Sequence, residues 1–150
     1  MNPNIPPSFY RVSIKALILS EDKKKFLVGH AKNGKWLLLG GGMDWGETVE
    51  ECLSRELKEE AGLEISVLNL NPAYTIPGQR DNGDWAINMV HEVIIKNLDF
   101  TPTDECTEIK FVSAAEAKEL TSYKAFQQFA QVFDSTLHKR FRKSSKSDFS

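Results

Sequence analysis

The stretch Gly41–Leu63, GGMDWGETVEECLSRELKEEAGL, carries the clearest structural signals in the chain. Thr48 and Glu51 have the spacing of a capping box, with Thr48 as N-cap and Glu51 at the third helical position. Val49, Leu53, Leu57 and Ala61 recur every four residues, which gives the single apolar stripe of a helix docked on a sheet. Gly62 stands where a helix C-terminus favours a residue free to take positive φ. Together these signals predict a helix over Val49–Ala61. Within it Glu56 lies three residues from Glu59 and four from Glu60. Like charges so placed cost an isolated helix about 0.2–0.5 kcal/mol per pair. A divalent cation among the three carboxylates turns that cost into a gain, since Mg²⁺ takes oxygen ligands at about 2.0–2.1 Å. The competing reading is an ordinary solvated acidic face, partly offset by Arg55 and Lys58.

Working outward, Arg11–Ser20 alternates in part, with Val12, Ile14 and Ala16 on one face, and reads as a strand. Glu21–Lys25, EDKKK, suits a hairpin loop, and Phe26-Leu27-Val28 begins the returning strand. Asn33-Gly34 signals a two-residue hairpin turn. Trp36–Leu39 reads as a short buried strand, ended by Gly40-Gly41-Gly42. Downstream, Leu63–Leu70 and Ala86–Ile95 read as strands separated by the polar loop PGQRDNGDW, Pro77–Trp85. Ile109–Val112 is a further short strand. Ala114–Leu120 and Tyr123–His138 read as helices, the second turning Phe126, Phe129, Ala130, Phe133 and Leu137 toward the core. The segment holding Pro3, Pro6 and Pro7 suits the surface. The basic, serine-rich end from Lys139 is expected to fray. Strands mixed with helices argue for an α/β fold, a mixed sheet with helices on its faces. One domain over residues 1–138 and a basic tail over 139–150 follow.

Composition narrows the function. The chain has 150 residues and a formal charge of −2, enough for one real core and no general pull toward DNA or anionic membrane. Cys52 and Cys106 cannot make a disulfide framework and form no CxxC, so buried reduced thiols are expected. The N-terminal MNPNIPPSFYRVS lacks the basic and apolar regions of a signal peptide. No run approaches the roughly 18 apolar residues of a membrane span. A soluble, cytoplasmic protein is the reading. His30, His91 and His138 have no metal-ligand spacing and are expected to be structural.

From Gly41 the chain gives Gly, five residues, Glu47, seven residues, then Arg55-Glu56-Leu57, Lys58, Glu59-Glu60, Ala61, Gly62 and Leu63. This fills every fixed position of GX5EX7REUXEEXGU, where U is a bulky aliphatic residue, and the chain thereby resembles the Nudix hydrolase family. The resemblance implies an α/β/α sandwich and hydrolysis of a nucleoside diphosphate linked to another moiety, with Mg²⁺ or Mn²⁺ as cofactor. It implies Glu56, Glu59 and Glu60 as metal ligands, with the Gly40 carbonyl as a further one. Arg55 resembles the residue that orients the adjacent catalytic carboxylate, although it could simply pair along the helix. Glu47 resembles the position that braces the loop, or is a first-turn acid favoured by the helix dipole.

Pyrophosphate cleavage needs charge neutralisation, an activated water and a base. Glu56 is the first candidate base. Glu108, ahead of Glu105, lies where relatives place a later catalytic acid; ordinary surface charge is the alternative. Many relatives have a proline before the paired glycines, where this chain has Leu39, and Gly42 is an extra glycine. Neither departure removes a ligand.

Substrate signals are thinner. Where relatives that cleave dinucleoside polyphosphates carry a tyrosine, this chain has Gln79-Arg80-Asp81, which argues against that class. Pro77 lies near a proline typical of ADP-ribose-cleaving members, and the coenzyme A signature is absent. Trp85 and Tyr74 are candidates to stack on a base, or packed aromatics. Arg80 and Lys15 are candidates to meet phosphate. The expected substrate is a small nucleotide: a nucleotide sugar, ADP-ribose or a nucleoside triphosphate. Relatives are often homodimers. Two alternatives are a non-catalytic nucleotide sensor, which commonly lacks part of the motif, and an RNA 5′-end pyrophosphohydrolase using Lys139–Lys143.

Overall fold

The computed structural model describes residues 9–139 and 141. The alternation in strand β1 (Tyr10–Leu17) sets the architecture. Val12, Ile14 and Ala16 join one apolar cluster, while Leu17 joins another and Arg11, Ser13 and Lys15 line a cavity on its side. Both faces of the strand therefore need a cover. β1 pairs antiparallel with β4 (Gly40–Gly42) and parallel with β7 (Trp85–Ile95). β5 (Ile65–Leu68) and β6 (Tyr74–Gln79) both pair antiparallel with β7. A second sheet has the order β3 (Trp36–Leu37), β2 (Phe26–His30), β8 (Glu108–Val112).

Helix α1 (Val49–Ala61) packs Cys52, Leu53, Leu57 and Ala61 onto Ile14, Ala16 and Leu27. On the other face, α2 (Ala114–Lys118) and α3 (Lys124–Val132) enclose Leu17, Phe26 and Val28 with Phe126 and Phe129. The Phe26 ring meets those of Phe129 and Phe133 edge-on at 5.0 and 4.9 Å, a favourable aromatic arrangement. The result is the expected α/β/α sandwich with a mixed sheet. Among the described residues no helix is long and apolar enough to cross a membrane.

Helix α1 has the expected bounds, and Gly62 ends it at φ 66°. Only the Thr48 half of its box forms, the hydroxyl accepting from Glu51 N at 3.1 Å. The complete box occurs at α2, between Ser113 and Glu116.

Other expectations are corrected. The EDKKK tip closes through Ser20 N to Lys25 O and Leu27 N to Ile18 O, but β1 and β2 then diverge into different sheets. The Asn33-Gly34 turn has three loop residues, because Ala31 N reaches Lys35 O and Gly34 takes φ 87°; this is a turn followed by a one-residue bulge. Gly40–Gly42 does not merely end a strand: it forms β4. At Gly40, φ is 131° and a Cβ would fall 2.1 Å from Ile14 O, so only glycine fits. Part of the loop read over Pro77–Trp85 belongs to β6, where Pro77 is accommodated away from the sheet's centre. The long C-terminal helix stops at Val132, and Asp134 instead caps a 3₁₀ turn, Ser135–His138, by accepting from Thr136 N. Leu137 consequently faces solvent, and His138 is buried. The proline-rich start and most of the basic tail lie outside the described residues.

Candidate active site

With Leu53, Leu57 and Ala61 committed to the core, geometry puts Arg55, Glu56, Glu59 and Glu60 on the flanks of α1, beside β4. Gly41 lies directly against Glu56, and a Cβ there would sit 2.6 Å from its carboxyl carbon. Arg55 is the hub. Its Nε donates to Glu47 Oε1 at 2.9 Å and its Nη2 to the Gly42 carbonyl at 3.2 Å. Its Nη1 donates to Glu56 Oε1 at 2.8 Å and to Glu59 Oε2 at 3.3 Å. A guanidinium has five N–H donors in a fixed fork, so one residue fixes the loop and aims two carboxylates. The bond to Glu56 leads the causes that raise the Arg55 pKa, followed by an opposing effect of burial and a further rise from Glu47.

Glu60 turns the other way, accepting from Gly40 N at 3.0 Å. Burial, first, pushes its carboxyl up from 4.5 to about 7; Lys15 and the Gly40 amide oppose this, while Glu56 and Glu105 add to it. Lys15 sits on the far side of Gly40, its Nζ donating to Gly40 O at 3.3 Å and Leu38 O at 3.4 Å. Burial lowers its pKa, against the attraction of Glu60 and Glu56. Cys52 is the expected buried thiol, pushed up to about 11 chiefly by burial, and so unsuited to nucleophilic work.

Of the two later acids, the charge of Glu105 acts on Glu60. Glu108 is exposed and stands opposite His30 in the β2–β8 ladder. Glu105 is exposed as well.

Beyond β4 a cavity of about 480 Å³ opens between the sheet and α3. Arg11, Lys15, Arg80 and Asn88 face it, with Phe126 and Phe129 among the apolar walls. Arg80 is thus on the cavity wall. Trp85 is not: Ala86, Asn88 and Val90 line the cavity, so alternation sends Trp85 to the opposite face, where its ring lies 6.4 Å from that of Tyr10. Tyr74 is withdrawn too, its hydroxyl 2.8 Å from His138 Nε2 and accepting from Asp134 N at 3.0 Å. Arg11 and Asn88 were missed. The signal for Arg11 was available, since Arg11, Ser13 and Lys15 alternate with the apolar face of β1.

Among the described residues, no three Asp, Glu, His or Cys side chains converge closely enough to hold an ion; Arg55 draws Glu56 and Glu59, and the Gly40 amide draws Glu60. The donor chemistry nevertheless fits a hard divalent cation. The donors are all oxygen, the ligand type that such an ion prefers.

Comparison with known proteins agrees with this arrangement. The chain is 29% identical over 93 residues to the nucleoside triphosphatase NudI of Klebsiella pneumoniae (strain 342), covering 57% of this chain and 66% of the relative. It is 34% identical over 68 residues to a MutT-like protein of Streptomyces ambofaciens, 45% of this chain and 44% of that one. The chain thus spans less than two thirds of the length of either relative. The crystal structure of a MutT protein from Methanosarcina mazei Go1 superposes with a TM-score of 0.73 at 27% identity, covering 90% of this chain and all of the other. The NUDIX domain family matches residues 9–133. With the motif helix, its bracing arginine and the sandwich all in place, the chain belongs to the NUDIX family.

Proposed function

We propose that the protein is a Mg²⁺-dependent pyrophosphohydrolase of small nucleoside diphosphate derivatives, with Mn²⁺ as an alternative cation. The observation that carries this reading is the adjacency of two features. The Glu56–Glu60 flank of α1 meets, across the glycine strand β4, a nucleotide-sized cavity faced by Arg11, Lys15 and Arg80.

Glu56, Glu59, Glu60 and the Gly40 carbonyl are the groups that would hold the cation, which supplies charge neutralisation at the pyrophosphate and acidifies water. Arg55 holds Glu56 in place as the base that accepts the proton of the attacking water. Glu108 and, after it, Glu105 are the further candidates for that proton. Arg11 and Arg80 bind phosphate oxygens from the cavity side. Phe126, Phe129 and Asn88 receive the nucleoside and keep water away from it. Nucleoside triphosphates come first among substrates, because a relative at 29% identity is named a nucleoside triphosphatase; nucleotide sugars and ADP-ribose follow.

The test is Mg²⁺-dependent product release, followed by chromatography, from a panel of (deoxy)nucleoside triphosphates, nucleotide sugars and ADP-ribose. Turnover of one class, lost in Glu60→Gln, supports the reading and names the substrate. Tight nucleotide binding without turnover would replace it with the sensor.

A further inference from the structure

Gly40 is held from both ends. Its N–H donates to the Glu60 carboxyl at 3.0 Å, and its carbonyl accepts from Lys15 Nζ at 3.3 Å. Lys15 has no carboxylate within salt-bridge distance among the described residues; its other partner is the Leu38 carbonyl at 3.4 Å. An ammonium held mainly by two main-chain carbonyls, inside the field of Glu60 and Glu56, resembles a bound metal ion in its chemistry. It uses oxygen donors and stands near carboxylates without pairing with them, at a point where the cavity meets α1. It is also partly buried, so water screens its charge only weakly.

We propose that Lys15 is a built-in monovalent cation of the metal helix, occupying the Gly40 carbonyl and partly neutralising Glu60, so that a divalent ion must displace or outcompete it there. The inference rests on the metal reading of Glu56, Glu59 and Glu60 and adds a constraint to it. The Gly40–Glu60 side of the site takes a divalent ion weakly unless a phosphate draws the ammonium into the cavity. The metal-free protein keeps its loop ordered with a charge of its own.

The test is Mn²⁺ binding without substrate, followed by the EPR signal of free Mn²⁺ during titration. It compares wild type, Lys15→Met and Lys15→Gln; Gln is neutral but can still donate to the two carbonyls. Removing a positive charge so close to the ligands is expected to tighten Mn²⁺ binding by about tenfold or more in whichever variant keeps the wild-type circular dichroism. Combined with Glu60→Gln, the gain should disappear, because the two residues share one site. Unchanged affinity in the folded neutral variants overturns the inference and leaves the metal reading intact, provided wild type binds Mn²⁺. A gain that persists beside Glu60→Gln also overturns it, since the charge would then act generally. No binding by any of the proteins removes the inference and the metal reading together.

Discussion

Two polar clusters lie on opposite faces of the same sheet and are built from similar groups. On the α1 face, Arg55 gathers Glu47, Glu56 and Glu59, and the cluster stays open: the Glu59 side chain is 55% exposed and that of Arg55 29%. On the α3 face, His138 Nδ1 lies 2.6 Å from Glu92 Oε1 and Nε2 lies 2.8 Å from the Tyr74 hydroxyl, all but sealed, with His138 1% and Glu92 7% exposed. The closed cluster spends its bonds on structure. It ties the 3₁₀ turn Ser135–His138 to β7 and β6, and Lys23 adds a bond to the His138 carbonyl. The open cluster holds carboxylates together against their repulsion, with oxygens left for something else. Burial of a polar group demands partners, whereas an exposed one can be met by water.

The largest effect should come from asking the open cluster to work without one oxygen. Glu56→Gln is nearly isosteric and keeps the bond-accepting amide oxygen for Arg55, yet it is expected to lower kcat/KM about 10³-fold. The melting temperature should change little, since relief of the repulsion from Glu59 and Glu60 offsets the weaker pairing with Arg55. The closed cluster should answer in the opposite way. His138→Ala leaves Glu92 buried without its imidazole, and its Oε2 already lacks a partner. A loss of about 3 kcal/mol by urea denaturation is expected, with kcat/KM near wild type below the unfolding transition. If His138→Ala abolished turnover in the folded protein, the division between the two clusters would be broken.

How much of each cluster was legible follows from how local its signals are. Helix α1 and its carboxylates were readable because cap, stripe, C-terminal glycine and motif all lie in one stretch, Thr48–Leu63. The closed cluster unites Tyr74, Glu92 and His138 from three distant segments, and no short-range pattern links them. Asp134 looked like one more helical residue, and only its side-chain bond to Thr136 N shows that it restarts the chain as a 3₁₀ turn. β6 was partly concealed by Pro77 and Gly78, residues that normally signal a turn. The cavity was half legible. Polar alternation on β1 marked its floor, but the placing of Trp85 depended on register. Tyr10 stands opposite Trp85, so the candidate stacking residue belongs to the wrong face.

A pH titration sharpens the contrast. The Glu60 pKa is about 7 in the folded protein against an ordinary 4.5. Its protonated form is therefore favoured by folding, and the stability it contributes is complete below 4.5 and lost as pH rises through 7. The metal-free wild type should lose on the order of 2 kcal/mol relative to Glu60→Gln between those limits. Urea denaturation of both proteins at pH 4.5, 6 and 8 in a chelator measures it. Parallel curves would mean that burial does not hold the Glu60 carboxyl up in the folded protein.

The smallest effect distinguishes what holds the start of α1. Thr48 caps the helix with one bond to Glu51 N, without the reciprocal arm, so Thr48→Ala is expected to cost about 1 kcal/mol. Glu47, the residue before it, is independently pinned by Arg55 Nε at 2.9 Å and by Nη2 at 2.8 Å. The chain therefore enters the helix at a fixed point even without the hydroxyl, and the Arg55–Glu56 bond lies two turns further on. Stability should fall while kcat/KM changes less than about twofold, because a lost cap acts on the first turn alone. A tenfold fall in kcat/KM, with the protein still folded, would show that the cap rather than the arginine fork aims Glu56, and the open cluster would then owe its geometry to the helix end.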